Sequence, residues 1–178
     1  MGRVFEGVDA GLARFIAAQH VFFVATAPGR GGHVNVSPKG HDSFRVIDPL
    51  TVAYLDLTGS GVETIAHTRE NGRVTVMFCA FEGPPRIVRL YGTGRVLEPG
   101  DPGFEAMRAL FPAQDGVRSV ISITLDRISD SCGYGVPRMK YAGERTQMQA
   151  WLDSKGAEGL ERYRAEHDTS IDGLPARG

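Results

Sequence analysis

The chain has little that would staple it, anchor it or hold it on nucleic acid. Its two cysteines, Cys79 and Cys132, stand far apart and form no Cys-x-x-Cys pair. A reduced, cytoplasmic chain is the reading they favour. No apolar run approaches the roughly 20 residues that span a bilayer. The opening MGRVFEGVDAGLARF carries acids, lacks an apolar core of signal-peptide length, and has no Ser or Thr placed for myristoylation. An excess of one charge sign is missing as well. Twenty Lys and Arg against 21 Asp and Glu leave a net charge of −1, without the basic stripe of a general nucleic-acid binder. There is no internal repeat, low-complexity tract, Walker loop or G-x-G-x-x-G fingerprint. His33, His41 and His67 match no zinc-ligand spacing, so no metal is expected.

What is present is ordinary globular material: 178 residues, 42% hydrophobic and 23% charged. That length suits one domain able to bury about 70% of its unfolded surface. The expected layout is a single domain over 1–178, with a core at about 20–130 and a helical extension at about 140–178.

Residues 8–19 place Val8, Leu12, Phe15 and Ile16 at helical spacing behind Asp9. HVFFVATA, a PGRGG turn and HVNVSP read as one hairpin; residues 43–57 read as another. GVETIAHTREN then switches to a period near 3.6, with Val62, Ile65 and Ala66 on one side, and Asn71-Gly72 ends that helix. Long strands follow at 73–81, 86–98 and 116–129, with a short helix at 101–111 between the last two. The charged segment 144–166 is helix-like, with Leu160 and Tyr163 turned inward, and a Gly/Pro tail closes the chain. About six strands in consecutive hairpins close most readily into a small antiparallel barrel, which hides their edges. The fold class is mainly β (α+β).

Four stretches carry chemical interest. LTGSGVET runs strand, turn, helix, and a helix start presents free N–H groups and partial positive charge to an anion. Gly59 and Gly61 permit close backbone approach, and Thr58, Ser60 and Thr64 offer hydroxyls. The same letters also spell a capping box, with Ser60 as N-cap and Glu63 three residues on. In NVSPKGHDSF, Lys39 is either a solvated turn lysine or a point charge for a phosphate or ring edge. SCGYGVPRM places two glycines around Tyr134, a loop suited to contacting a ring. In PPRIVRLYG, Arg86 and Arg89 lie three apart and so on opposite faces of a strand. His67 reads as a polar surface or interface residue, and Cys79 as a small buried hydrophobe.

Taken together, VSPKG, YLDLTGSGVETIAHTRENGRVTVMF and PRIVRLYGTGRV resemble the pyridoxamine 5'-phosphate oxidase-like family of flavin-binding split barrels, over roughly residues 10–130. The resemblance implies a six-stranded split barrel that forms a homodimer, with FMN at the subunit interface and a small-molecule substrate. It implies that Lys39 contacts the flavin, that Ser60 starts the phosphate-binding helix, and that Arg86 and Ile87 approach the flavin from the second subunit. Thr58, Gly59, Ser60, Gly61 and Thr64 would cradle the phosphate, while Val36, Ser37 and Leu55 would line the ring slot. Where the namesake oxidase has Arg-Lys after its serine, this chain has Gly61 and Val62, and the oxidase's C-terminal substrate motif has no match. The expected activity is therefore an FMN-dependent oxidoreductase reaction other than pyridoxamine phosphate oxidation. A deazaflavin on the same fold, or a flavin- or haem-binding protein without catalysis, are the alternatives.

Overall fold

Asp9 sets the first helix. Its Oδ1 accepts the Leu12 amide at 2.8 Å, capping α1 (Ala10–Ala17) so that Leu12 and Ile16 face the core. The structure, a computed structural model, describes residues 2–176. Ahead of α1 lies a two-residue strand, β1 (Val4–Phe5). After it come β2 (Phe22–Thr26), β3 (Asn35–Lys39), β4 (Phe44–Asp48) and β5 (Thr51–Leu57). Helix α2 (Glu63–Asn71) leads to β6 (Arg73–Cys79), β7 (Ile87–Leu97), α3 (Phe104–Arg108), β8 (Val117–Ser131) and α4 (Gln147–Glu166).

All pairings are antiparallel, in the order β3-β2-β6-β7-β8-β5-β4 with β1 laid on β8. The sheet therefore has eight strands rather than six, while the antiparallel class stands. Among the described residues its two ends share no backbone ladder, yet they touch. The rings of Phe22 in β2 and Phe44 in β4 lie 5.1 Å apart, and Lys39 of β3 reaches Asp56 of β5. The sheet is thus curled into a barrel that is split between β3 and the β4–β5 hairpin. Inward residues such as Val24, Val52, Tyr54, Val76, Leu90 and Ile123 are fully buried. Ala53 and Leu55, on the other face of β5, pack outward under Phe104 and Phe111.

Helix α2 ends as expected at Gly72, whose φ of 72° is left-handed and accessible to Gly at little cost. Helix α4 is interrupted at Gly156, and buries Leu152 and Gly159; Leu160 and Tyr163 are only half-buried. The tail packs on its own chain as a strap over residues 168–176. Leu174 and Ala176 join the main core, and Arg69 donates to the Ala176 carbonyl. Asp172 accepts both the amide and the Nδ1 proton of His33, each at 2.7 Å. The final two residues lie outside the described ones.

Those bonds from His33 hold the Asp172 carboxyl below its ordinary range, the backbone amide being the larger cause. A carboxyl lowered by folding contributes stability above its unfolded pKa and loses it as pH falls through the folded value. The protection factors of amides in residues 168–176, that is, exchange corrected for its intrinsic pH dependence, are expected to stay constant from about pH 7 to 5 and to fall only below about pH 4. Loss of protection already near pH 6 would contradict this anchor.

Candidate functional site

The turn after β5 and the edge strand β3 meet at the split in the barrel. A register irregularity between Asp56 and Leu57 ends β5, and such bulges re-aim side chains. Asp56 is 1% exposed and takes two cations. Lys39 Nζ lies 3.4 Å from its Oδ1, and Arg118 Nε lies 2.8 Å from Oδ2. Arg118 Nη2 also donates to the Gly61 carbonyl at 3.1 Å. Asp56 thus joins the lysine of β3 to the turn itself.

The turn's first residue is spoken for. Thr58 is fully buried; its hydroxyl donates to the Gly116 carbonyl at 2.9 Å and accepts from Arg164 Nε at 2.9 Å. Gly59 is half-buried, and Ser60 and Gly61 are exposed. The capping box does not form. Helix α2 starts later than Ser60 would dictate: its N-cap is Val62, and no side chain caps it. Glu63 instead bends back beside Gly61. Among the described residues, the amides of residues 59–62 donate to nothing, so the turn keeps the free donors that an anion requires. Neither Gly59 nor Gly61 has a positive φ, and a Cβ on Gly59 would meet only the Leu57 carbonyl oxygen, at 4.0 Å, an ordinary contact. Conformational freedom is not the reason for Gly59; an unobstructed backbone is what it provides.

Two cavities flank the turn. One of 480 Å³ is lined by Lys39, His41, Leu55, Leu57 and Gly59, with residues 141–148 across it. The other, of 320 Å³, is lined by Val62, Arg118, Arg164 and His167, and also by Glu98, Glu161 and Asp168.

Behind the turn runs a buried polar seam. Asn35, Ser37 and Lys39 occupy the inward positions of β3, whereas Val36 is 59% exposed on its other face. Val36 and Ser37 therefore cannot line one slot, since neighbours in a strand point opposite ways. Ser37 Oγ donates to Asn35 Oδ1, and Asn35 Nδ2 donates to Thr26 and to Thr64 at 3.3 and 3.2 Å. Thr64 is buried within this seam. His67, expected at the surface, is 0% exposed, with Nδ1 3.0 Å from Thr26 Oγ1. The i, i+3, i+4 spacing of Thr64, His67 and Thr68 puts all three on one helix face, a signal eclipsed by Val62, Ile65 and Ala66. Burial pushes the Tyr54 phenol well above its ordinary range, with Asp56 adding to the effect.

Arg86 and Ile87 lie elsewhere. Ile87 pairs with Ser131 at one end of β8, while Leu57 pairs with Val117 at the other. Arg86 holds Asp130 at 2.8 Å, and Arg89 donates to Ser131, so the two arginines do take opposite faces. The Tyr134 loop is at the Arg86 end, with Tyr134 81% exposed. The structure brings together Ser37, Lys39, residues 58–61 and Thr64, and leaves Arg86 and Ile87 apart from them within one chain. Asp56, Arg118 and Arg164 were missed. Asp56 is an acid inside an apolar strand, which was a usable signal; the arginines have only long-range partners.

The family model described as pyridoxamine 5'-phosphate oxidase matches residues 8–132. The pyridoxamine 5'-phosphate oxidase family protein ustO of Aspergillus flavus is 48% identical over 137 residues, 75% of this chain and 55% of that protein. The chain thus spans about half the length of that relative. HupZ of Group A Streptococcus has a TM-score of 0.55 at 25% identity, covering 67% of this chain and 90% of its own. A FAD-binding protein from Mesorhizobium loti has a TM-score of 0.51 at 18% identity, covering 73% and 96%, which speaks for the fold alone. The chain belongs to the pyridoxamine 5'-phosphate oxidase family.

Proposed function

We propose that the chain is an FMN-dependent oxidoreductase that acts on a small molecule as a homodimer. The observation that carries this reading is the uncapped turn at residues 59–62, tied through Arg118 and Asp56 to Lys39. FMN needs an anion cradle for its phosphate and a cation near the polar edge of its ring. The free amides of the turn suit the first, and Lys39 the second. Bound FMN supplies the redox chemistry, and the protein's part is to position it and tune its surroundings. The missing cations after Ser60 are what make a deazaflavin on the same fold the alternative. Arg118 and Arg164 stand at the turn and supply positive charge there, which supports FMN.

The dimer reading draws on the separation of the two predicted halves. Lys39 and the turn lie at one end of the sheet, and Arg86, Ile87 and the Tyr134 loop at the other. A two-fold axis that lays two copies antiparallel would bring one end of each chain to the other end of its partner.

Titration of the purified protein with FMN, read by flavin fluorescence and absorption, tests the reading. Saturable binding is expected, and failure of FMN to bind overturns it. Lys39→Ala is expected to weaken FMN about tenfold, or ~1.4 kcal/mol. Its unfolding midpoint should barely move, because Asp56 keeps Arg118. Unchanged FMN affinity would take Lys39 out of the site.

A further inference from the structure

The largest of the cavities so far described or adjoining them is none of those beside the turn. It has a volume of 570 Å³ and opens at the barrel mouth, between α1 and the loop at residues 112–114. Its floor is aromatic: Phe22, Phe44 and Phe78 interlock with ring centroids 5.0–5.7 Å apart. Ile16 and Ala17 form one wall, and Pro112, Ala113 and Gln114 form another. No Lys or Arg lines it. The volume suits a molecule of one or two rings, since ligand sites usually enclose about 300–1,000 Å³.

Three further observations separate this cavity from a mere gap. Gln114 lines it, and its Oε1 is buried without a hydrogen-bond partner among the described residues. A buried acceptor left unmatched costs about 1–3 kcal/mol, which rotation of the amide toward a donor in the cavity would recover. The rim is also built under strain. His41 and Asp42 both adopt left-handed backbone, with φ of 60° and 51°, a conformation that costs non-glycine residues roughly 1–3 kcal/mol each. Arg45 fixes Asp42 through bonds of 2.7 and 3.0 Å, and Ser43 Oγ donates to the Gly40 carbonyl at 2.6 Å. The strained turn presents His41 to the opening. Finally, the cavity adjoins the Lys39 groove: Gly40, His41, Ser43, Tyr141 and Glu144 line both. Tyr141 lies flat on His20, with centroids 3.6 Å apart, where the two spaces meet.

The charges at the mouth select a ligand class. Asp42 is satisfied by Arg45. Glu144 accepts the Tyr141 hydroxyl at 2.8 Å and lies 3.4 Å from His41 Nδ1. Its carboxylate is half exposed and still has acceptor capacity.

We propose that this cavity binds an arylalkylamine, the ring toward Phe22, Phe44 and Phe78 and the ammonium donating toward Gln114 Oε1 and Glu144. Phosphate esters and carboxylates are disfavoured, because no Lys or Arg lines the cavity, Glu144 repels them, and Glu144 already stands against His41. Only the further step of calling this ligand the substrate rests on the FMN reading.

The test titrates the protein with 2-phenylethylamine and with 3-phenylpropionate, which carries a similar ring and the opposite charge, using calorimetry and ligand-observed NMR. The amine is expected to bind at least about tenfold tighter than the acid. Gln114→Leu should weaken it about tenfold by removing the acceptor, and Ala113→Trp should abolish binding by filling the space from its exposed wall. Thermal melts check that both variants fold; should Ala113→Trp fail to fold, Gln114→Leu carries the test. No binding of the amine, equal binding of amine and acid, or binding that a folded Ala113→Trp leaves intact would overturn the proposal. FMN titrated into the same preparation reports separately. Amine binding without FMN binding sustains the cavity and sinks the cofactor reading, and the converse result sinks the cavity alone.

Discussion

Asp56→Ala is expected to lower folding stability by about 3–5 kcal/mol, the usual cost of removing one partner from a buried ion pair. Asp56 is 1% exposed, while the side chains of Lys39 and Arg118 are 21% and 11% exposed. Without the carboxylate, two cations would face each other across the split with little water to screen them. At about 2–4 °C per kcal/mol for a chain of this size, the melting temperature should fall on the order of 10 °C. Asp56→Asn keeps the volume and one acceptor and should cost less. Urea unfolding of the two variants checks this. A loss under about 1 kcal/mol for Asp56→Ala would mean that the pair is effectively solvated, as exposed ion pairs are. An apolar replacement of both groups, Asp56→Leu with Arg118→Met, should recover part of the loss. It should not recover FMN binding, because the cation at the turn would be gone.

Gly92→Ala should be as damaging, for a reason unrelated to charge. Gly92 sits in β7 where the pairing with β8 slips by a residue. A Cβ there would overlap the Thr124 carbonyl oxygen and come within 3.0 Å of Leu125 Cα. Both obstacles are backbone of the neighbouring strand, so no side chain can rotate away. The β7–β8 ladder runs through the middle of the sheet, and parting it would disturb the core on both sides. A loss above about 3 kcal/mol is expected, at the overpacking extreme. It would be read as insoluble expression or a sharply lowered urea midpoint. Gly135→Ala is the control: a Cβ there meets nothing within 4 Å, and the change should stay within about 0.5 kcal/mol.

The strands were legible because their signals are local. Alternation in FFVAT and TVAYLDL, the Gly-rich turn at 28–32 and the Asn71-Gly72 stop each act within a few residues, and each produced the expected element. β1 was not legible: two residues make no periodic pattern, and their partners Ser129 and Ile128 lie at the other end of the chain. The capping box failed for a different reason. Ser60 and Glu63 have the right spacing, but the residues at 58–61 are drawn by Gly116, Arg118 and Arg164 into a turn that delays the helix. Arg164 lay in a charged helix that reads as a solvated face, and only the tertiary fold shows it reaching Thr58. Polar groups that meet across long stretches of chain leave no periodic trace, so the turn could be found by reading but not its cations.

The contact between Arg164 and Thr58 has a consequence for synthesis. Translation delivers every strand once Ser131 has emerged, and domains fold as their parts become available. Arg164 and the strap at 168–176 follow only after the sheet is complete. A message that stalls between these points yields a nascent chain with its sheet whole but its turn unfinished. Thr58 then lacks its donor, and the core lacks Leu174 and Ala176. In this fold the ribosome, by finishing α4, also finishes the cradle.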